Sequence, residues 1–154
     1  MNHWLMKSEP DVFGVDDLAK SPRKTTFWSG VRNYQARNFM RDGMRVGDLA
    51  FFYHSNCDEP GIVGVMKIVK AGYPDHTAFD RNDHGFDPDS DSARPRWYMV
   101  DVQLQRKLAR PITLAQLRQH EKRALKGLAL LQRGNRLSVT PVSAPHWNFI
   151  LELV

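Results

Sequence analysis

Apolar residues recur along this chain with two periods, and the period separates strands from helices. The clearest strand is Trp97-Tyr-Met-Val-Asp-Val-Gln-Leu104, in which Tyr98, Val100, Val102 and Leu104 alternate onto one face. Leu49-Ala-Phe-Phe-Tyr53 is a continuous apolar run of strand length, which predicts burial on both sides. Ile62-Val-Gly-Val-Met-Lys-Ile-Val69 is rich in β-branched residues, and its Gly64 marks a bulge or bend. These two runs are expected to pair as antiparallel neighbours across the loop from His54 to Gly61. Shorter strands are predicted at Trp4–Lys7, stopping at the Ser-Glu-Pro-Asp turn signal, at Thr25–Trp28, and at Leu137–Thr140.

Helical spacing predicts the remaining elements. Val15–Lys20 is closed by Ser21-Pro22, and a second helix runs from about Asn33 to Arg41. On the second, Ala36, Phe39 and Met40 form an inward stripe, while Tyr34, Arg37 and Arg41 share another face. Thr113 with Gln116 opens a helix through Leu117 as a capping box. Leu125, Leu128 and Leu131 suggest another helix, ending at Gly134, and Ser143 caps a last one whose Trp147, Ile150, Leu151 and Val154 fall on one side. Residues 74–96 read as an irregular excursion too polar for a core. Short strands broken by short helices, without regular βαβ alternation, predict an α+β domain around a small barrel or strongly bent sheet, spanning 1–154 as one unit.

Charge changes this picture more by distribution than by total. Lys plus Arg exceed Asp plus Glu by 22 to 17, which fits a polyanionic partner without demanding one. From Lys20 to Arg45 there are seven basic residues and one acid, whereas Asp75 to Ser92 holds six aspartates against Arg81. The single cysteine, Cys57, excludes an internal disulfide and suggests a reducing compartment. With no signal-like N-terminus and no membrane span, the expectation is a soluble cytoplasmic protein, nuclear if eukaryotic, acting as a monomer without membrane contact.

Metal and catalytic patterns fit poorly. Asp80, Asn82, His84, Gly85 and Asp91 match the spacing of a calcium loop, but His84 is a poor calcium ligand and Asp91 replaces the bidentate Glu. His54 and Cys57 have zinc-like spacing with no second pair to complete the site. Neither a metal nor a cofactor is therefore expected. Lys7-Ser8-Glu9 and His54-Ser55 contain nucleophiles and bases, yet neighbours on a strand point to opposite faces, so no catalytic residue is assigned.

Thr26 to Met40 is richer. It joins a bulky aromatic, a glycine break, arginines and amides, the side chains that grip a phosphate backbone and stack a base, although a helix N-terminus that is simply basic accounts for the same composition equally well. Of the four tryptophans, Trp4 and Trp147 read as core, whereas Trp28 and Trp97 are open to either a core or a cleft position.

Trp4-Leu-Met-Lys-Ser-Glu-Pro10, Trp28-Ser-Gly-Val-Arg-Asn-Tyr-Gln-Ala-Arg-Asn-Phe-Met40, Gly47-Asp-Leu-Ala-Phe-Phe-Tyr-His-Ser-Asn56, Gly61-Ile-Val-Gly64, Ala71-Gly-Tyr-Pro-Asp75, Trp97-Tyr-Met-Val-Asp-Val102 and Leu137-Ser-Val-Thr-Pro-Val142 follow one another along nearly the whole chain. In these blocks the chain resembles the EVE domain family of the PUA-like group, departing from it at Ser29, where an acidic residue is expected. The resemblance implies a mixed, mostly antiparallel pseudobarrel with flanking short helices and a pocket for a modified nucleobase flipped out of DNA or RNA. A more distant likeness to YTH domains, which read methylated adenine in an aromatic cage, puts Lys7-Ser8 and Trp28 at equivalent positions.

The resulting expectation is a reader of a modified cytosine or related base, without bond chemistry. Its pocket would comprise Lys7, Ser8, Trp28, Ser29, Gly30, Asn33, Tyr53, His54, Ser55 and Asn56, and Arg32, Arg37 and Arg41 would hold phosphates. The alternatives are a hydrolase or modifying enzyme acting on nucleic acid or nucleosides, and an RNA-binding or protein-docking adaptor.

Overall fold

The alternating and continuous apolar runs all enter one six-stranded sheet. In the computed structural model, which describes residues 1–154, the strands are β1 (His3–Ser8), β2 (Thr25–Trp28), β3 (Leu49–His54), β4 (Gly61–Pro74), β5 (Tyr98–Thr113) and β6 (Val139–Val142). Their order is β2-β5-β4-β3-β1-β6. Only β1 and β3 run parallel, and the other pairs are antiparallel. The expected pairing of β3 with β4 is present, with a register shift at Phe52/Tyr53 opposite Gly64 and Ile62. Against β5 the register shifts on both sides of Gly64 and again further along β4, and each shift bends the strand.

Those bends curl the sheet. Trp28 of β2 shares one apolar cluster with Trp4 and Met6 of β1 and with Val139 of β6, although these strands lie at opposite ends of the hydrogen-bonded order. The mixed α+β pseudobarrel is thus an open sheet rolled until its ends approach. α1 (Val15–Lys20), α2 (Tyr34–Asn38) and the π turn that follows it close its concave side through Val15, Leu18, Ala36 and Met40. The convex side is a second core, where Leu5, Phe51 and Val65 meet Leu117 of α3 (Leu114–Arg118) and Trp147 and Ile150 of α4 (Ala144–Glu152). There the rings of Phe51 and Trp147 stack at 3.8 Å. Burial of each such large side chain contributes about 1.5–3 kcal/mol.

Several expected boundaries move. The second helix starts at Tyr34 with the Asn33 carboxamide accepting from the Gln35 and Ala36 N–H groups, and widens into a π turn over Phe39–Gly43. Gly43 is needed there because a Cβ would lie 2.9 Å from the Trp4 ring. The helix expected through Leu125–Leu131 does not form. Gly127 adopts φ +87° and breaks it, so the segment is a series of turns with one short 3₁₀ turn at Ala129–Leu131. Leu125, Leu128 and Leu131 are buried nonetheless. The last strand begins two residues later than expected and tolerates Pro141 because β6 is an edge.

The excursion after β4 contradicts its polar reading at its root, where Asp75, Thr77 and Ala78 are buried. Beyond it, Asp80, Asp83, Asp87 and Asp91 each accept a hydrogen bond from the backbone N–H two residues on. These aspartates build turns.

Gly61 is wedged against β5, where an added Cβ would approach the Ile112 carbonyl to 2.5 Å. Gly61→Ala is expected to cost about 1–3 kcal/mol by overpacking, read as a lower urea midpoint at unchanged m-value.

Candidate nucleic-acid interface

Where the two ends of the curled sheet face each other they leave a cleft of about 330 Å³. One wall is the end of β2 and the turn after it, Thr26 to Val31, and the other is Lys7 and Ser8 of β1 with Ser138 just before β6. The N–H of Lys7 donates to the Ser138 carbonyl at 2.8 Å, which ties the second wall together. Trp28 sits at the cleft's inner side, only 6% exposed, with its ring edge-on to Phe52 at 5.1 Å. It is therefore both core and cleft. Ser8 Oγ donates to the Phe13 carbonyl at 2.7 Å and folds the Glu9–Phe13 turn over the opening. Val12 and Phe27 remain 60% and 43% exposed at the rim, an apolar lip around a polar throat. Strand alternation sets Ser8 on the concave face with Trp4 and Met6, and Lys7 with Leu5 on the convex one. Burial lowers the Lys7 pKa at this strand end.

Asp75 fixes the β2 wall. Its carboxylate is buried and accepts from the N–H of Gly30 at 2.9 Å, from Arg32 Nη1 at 3.0 Å, and from both the N–H and the hydroxyl of Thr77. Gly30 stands at φ +84°, a backbone state that glycine adopts freely. Burial works to raise the Asp75 pKa, but the hydrogen bonds from Thr77, Gly30 and Arg32, with the guanidinium charge, outweigh it and leave the pKa lowered.

Arg32 is consumed by this arrangement. Its Nε donates to the Gly85 carbonyl, Nη1 to the Val31 carbonyl and Asp75, and Nη2 to Thr77 and Gly85, which uses every donor a guanidinium has. The phosphate role expected for Arg32 is replaced by that of a clamp between the cleft wall and the excursion. Its guanidinium also lies 5.5 Å from the Trp97 ring, which stacks on Tyr34 at 4.9 Å and donates from Nε1 to Asp87. Trp97 is thus an anchor for residues 75–97, away from the cleft.

The cleft gathers Lys7, Ser8, Trp28, Ser29 and Gly30 from the expected set, and not the others. Tyr53 belongs to the convex core, because alternation along β3 puts it beside Phe51's side of the sheet, and burial raises its pKa to about 12. His54 accepts the Val15 N–H at Nε2, 3.1 Å away, and so caps α1. Burial lowers its pKa, opposed by Asp16 and Asp17. Asn33 caps α2 and lines a neighbouring groove. Ser55 is joined to Ser8 through its backbone N–H, and Asn56, at φ +50°, donates to Glu9 at 2.6 Å. These last two brace the turn that covers the cleft. Arg37 donates to the Arg96 carbonyl at 2.6 Å and to Asn38, and Arg41 is paired with Asp42.

Phe13 and Ser138 were missed as cleft residues, and Asp75 as the group that holds the β2 wall from behind. The signal for Asp75 was an aspartate standing directly after Pro74, a residue type whose side chain organises turns. Phe13 and Ser138 carry no such signal.

The EVE domain model matches residues 2–153. Thymocyte nuclear protein 1 of Danio rerio is 52% identical over 167 residues, covering 99% of this chain and 71% of its own length. The crystal structure of the human protein, in complex with 5-methylcytosine containing DNA, superposes with a TM-score of 0.94 at 48% identity, covering 99% of this chain and 97% of that one. A structure from Pseudomonas syringae gives a TM-score of 0.92 at 46% identity, with 98% of each chain covered.

Two outcomes follow for stability. Asp75→Asn leaves Arg32 without its countercharge and is expected to cost on the order of 3 kcal/mol in urea unfolding. Because the folded Asp75 pKa is depressed, its contribution is complete above the unfolded value of about 3.9 and is lost as pH falls through the lower folded value, a dependence the variant should lack. His54 titrates in a different window. Its folded pKa lies below 6.5, so stability should decline as pH drops from 6.5 toward that lower value and the imidazole can no longer accept from Val15. His54→Gln should flatten this decline in unfolding measured between pH 7 and 5.

Proposed function

The chain belongs to the EVE domain family, and on that premise we propose that it reads a modified cytosine in nucleic acid by taking the base, flipped from its strand, into the cleft between the two ends of the sheet. The observation that carries this reading is the pairing of the Trp28 ring with a polar wall held rigid by Asp75. Supporting it is the complex of a relative 48% identical to this chain with 5-methylcytosine containing DNA. A volume of about 330 Å³ lies at the lower end of the roughly 300–1,000 Å³ of ligand pockets and suits one nucleotide better than a folded segment.

Stacking of a base on Trp28 would contribute about 1–3 kcal/mol. Extrusion costs a few kcal/mol and is cheapest from a single strand or a mismatched duplex. The methyl group adds only about 1–3 kcal/mol against an apolar surface, so the expected discrimination is moderate. Ser29, Gly30 and Ser138 border the throat where the Watson–Crick edge would enter. The Ser8 hydroxyl is held by Phe13 and the His54 Nε2 by Val15, which supports recognition without bond chemistry.

The test is fluorescence anisotropy with oligonucleotides that differ only in cytosine methylation, as DNA and as RNA, at two salt concentrations. Trp28→Leu keeps apolar bulk in the core and removes the stacking face. It is expected to bring the methylated and unmethylated affinities together, with folding checked by circular dichroism. A folded Trp28→Leu protein that keeps the full preference would exclude the cleft as the base site. Mass change in the oligonucleotide after prolonged incubation would instead establish an enzyme.

A further inference from the structure

Two arginines with no role in holding the fold stand next to the cleft. Arg133 and Arg136 are exposed in the turn that leads into β6, and neither takes part in any of the ion pairs of the structure. The turn itself is ordered, with Gly134 at φ +78° and the Asn135 carboxamide accepting from the Leu137 N–H at 2.9 Å. Together with Asn33, Gln35, Asn135 and Leu137 the two arginines line an open groove of about 450 Å³ that contains no acidic side chain. The groove abuts the base cleft, because Leu137 lines the first and Ser138, the next residue, lines the second. On the other side Asn33 and Val31 stand in the same relation, separated only by the clamped Arg32.

We infer that this groove is the phosphodiester track of the strand whose base enters the cleft, with Arg133 and Arg136 each taking a phosphate and the Gln35 amide available to a phosphate oxygen. The inference rests on the base-reading role of the cleft and adds where the backbone lies. Guanidinium forks match phosphate oxygens in geometry as well as charge. The other arginines near the cleft are less available. Arg32 has no free donor, Arg37 is bound to the Arg96 carbonyl, and Arg41 carries its own counterion in Asp42. A strand laid along the Arg133–Arg136 turn passes the mouth of the cleft within one residue of Ser138, whereas Arg41 stands at the far, π-widened end of α2.

The experiment is a salt titration of binding with the same methylated and unmethylated oligonucleotides, comparing the intact chain with Arg133→Gln/Arg136→Gln and with Arg37→Gln/Arg41→Gln. Both positions of the first variant are exposed turn sites, so it should fold as the parent does. For duplex DNA the slope of log K against log salt is expected to become less negative by about 1.8, from about 0.9 per phosphate, with both oligonucleotides weakened by the same factor and their ratio kept. An unchanged affinity and slope, or a slope change confined to the Arg37/Arg41 variant, would overturn the track. So would loss of the methylation ratio alone, since the arginines would then be reading the base. A flattened slope in a protein whose Trp28→Leu variant retains full preference would uphold the track and reject the base cleft, so the two readings fail separately.

Discussion

The wall of the cleft depends on a single buried carboxylate. Asp75 is the first residue past β4, yet its oxygens hold a glycine and an arginine more than forty positions earlier, together with the start of its own excursion. Burying a carboxylate is unfavourable unless its oxygens are filled by donors, and here four donors fill them. The same bonds orient the Gly30 N–H and commit Arg32. A recognition surface built from backbone and small side chains would otherwise be free to move, and the charge pair fixes it at the cost of removing Arg32 from any outside partner.

The cleft also depends on the sheet being bent. β2 and β6 are the first and last strands of the order, so a flat sheet would hold Trp28 and Ser138 far apart. Register shifts around Gly64 and further along β4 roll the sheet until they face each other across one opening. The apolar clusters on its two faces then have different duties. The concave one brings the sheet ends together and carries Trp28 at its margin, while the convex one, with Trp147 stacked on Phe51, stiffens the back of β1 and β3.

Much of this was legible in the sequence wherever a local pattern determines the outcome. All six strands, the last displaced by two residues, and the caps at Thr113 and Ser143 follow from periodicity and hydrogen-bonding side chains at helix starts. The bent α+β sheet and the positions of Ser8, Trp28 and Gly30 were also recoverable. What local pattern could not reveal was which partner a polar side chain chooses. Arg32, His54, Asn33 and Asn56 were read as ligand-facing because they cluster in sequence near Trp28 or the β3 rim, but each has a partner within the protein, Arg32 for all its donors and Asn33 through Oδ1 alone. Tyr53 was misplaced for a different reason. In a strand buried on both faces, composition does not say which face a residue takes, and one residue of phase separates the cleft side from the back. The leucines at 125, 128 and 131 kept a helical spacing while Gly127 and the turns around it supplied their burial without a helix.

On the proposed reading the arrangement would separate affinity from discrimination onto different chemistry. Trp28 is almost withdrawn from solvent, so what its ring would contribute depends on shape and is little screened by salt, and the Gly30 wall beside it is held in place by Asp75. Exposed guanidiniums act through counterion release, which is strong at low salt and indifferent to base identity. A methyl group supplies too little free energy to offset extrusion of a base by itself, given that both terms are about a few kcal/mol. On the proposed reading the backbone contacts would therefore contribute most of the binding, leaving the cleft to choose among bases already delivered to its mouth. A rigid cleft suits that task, because any reorganisation on entry would consume the small difference on which the choice depends.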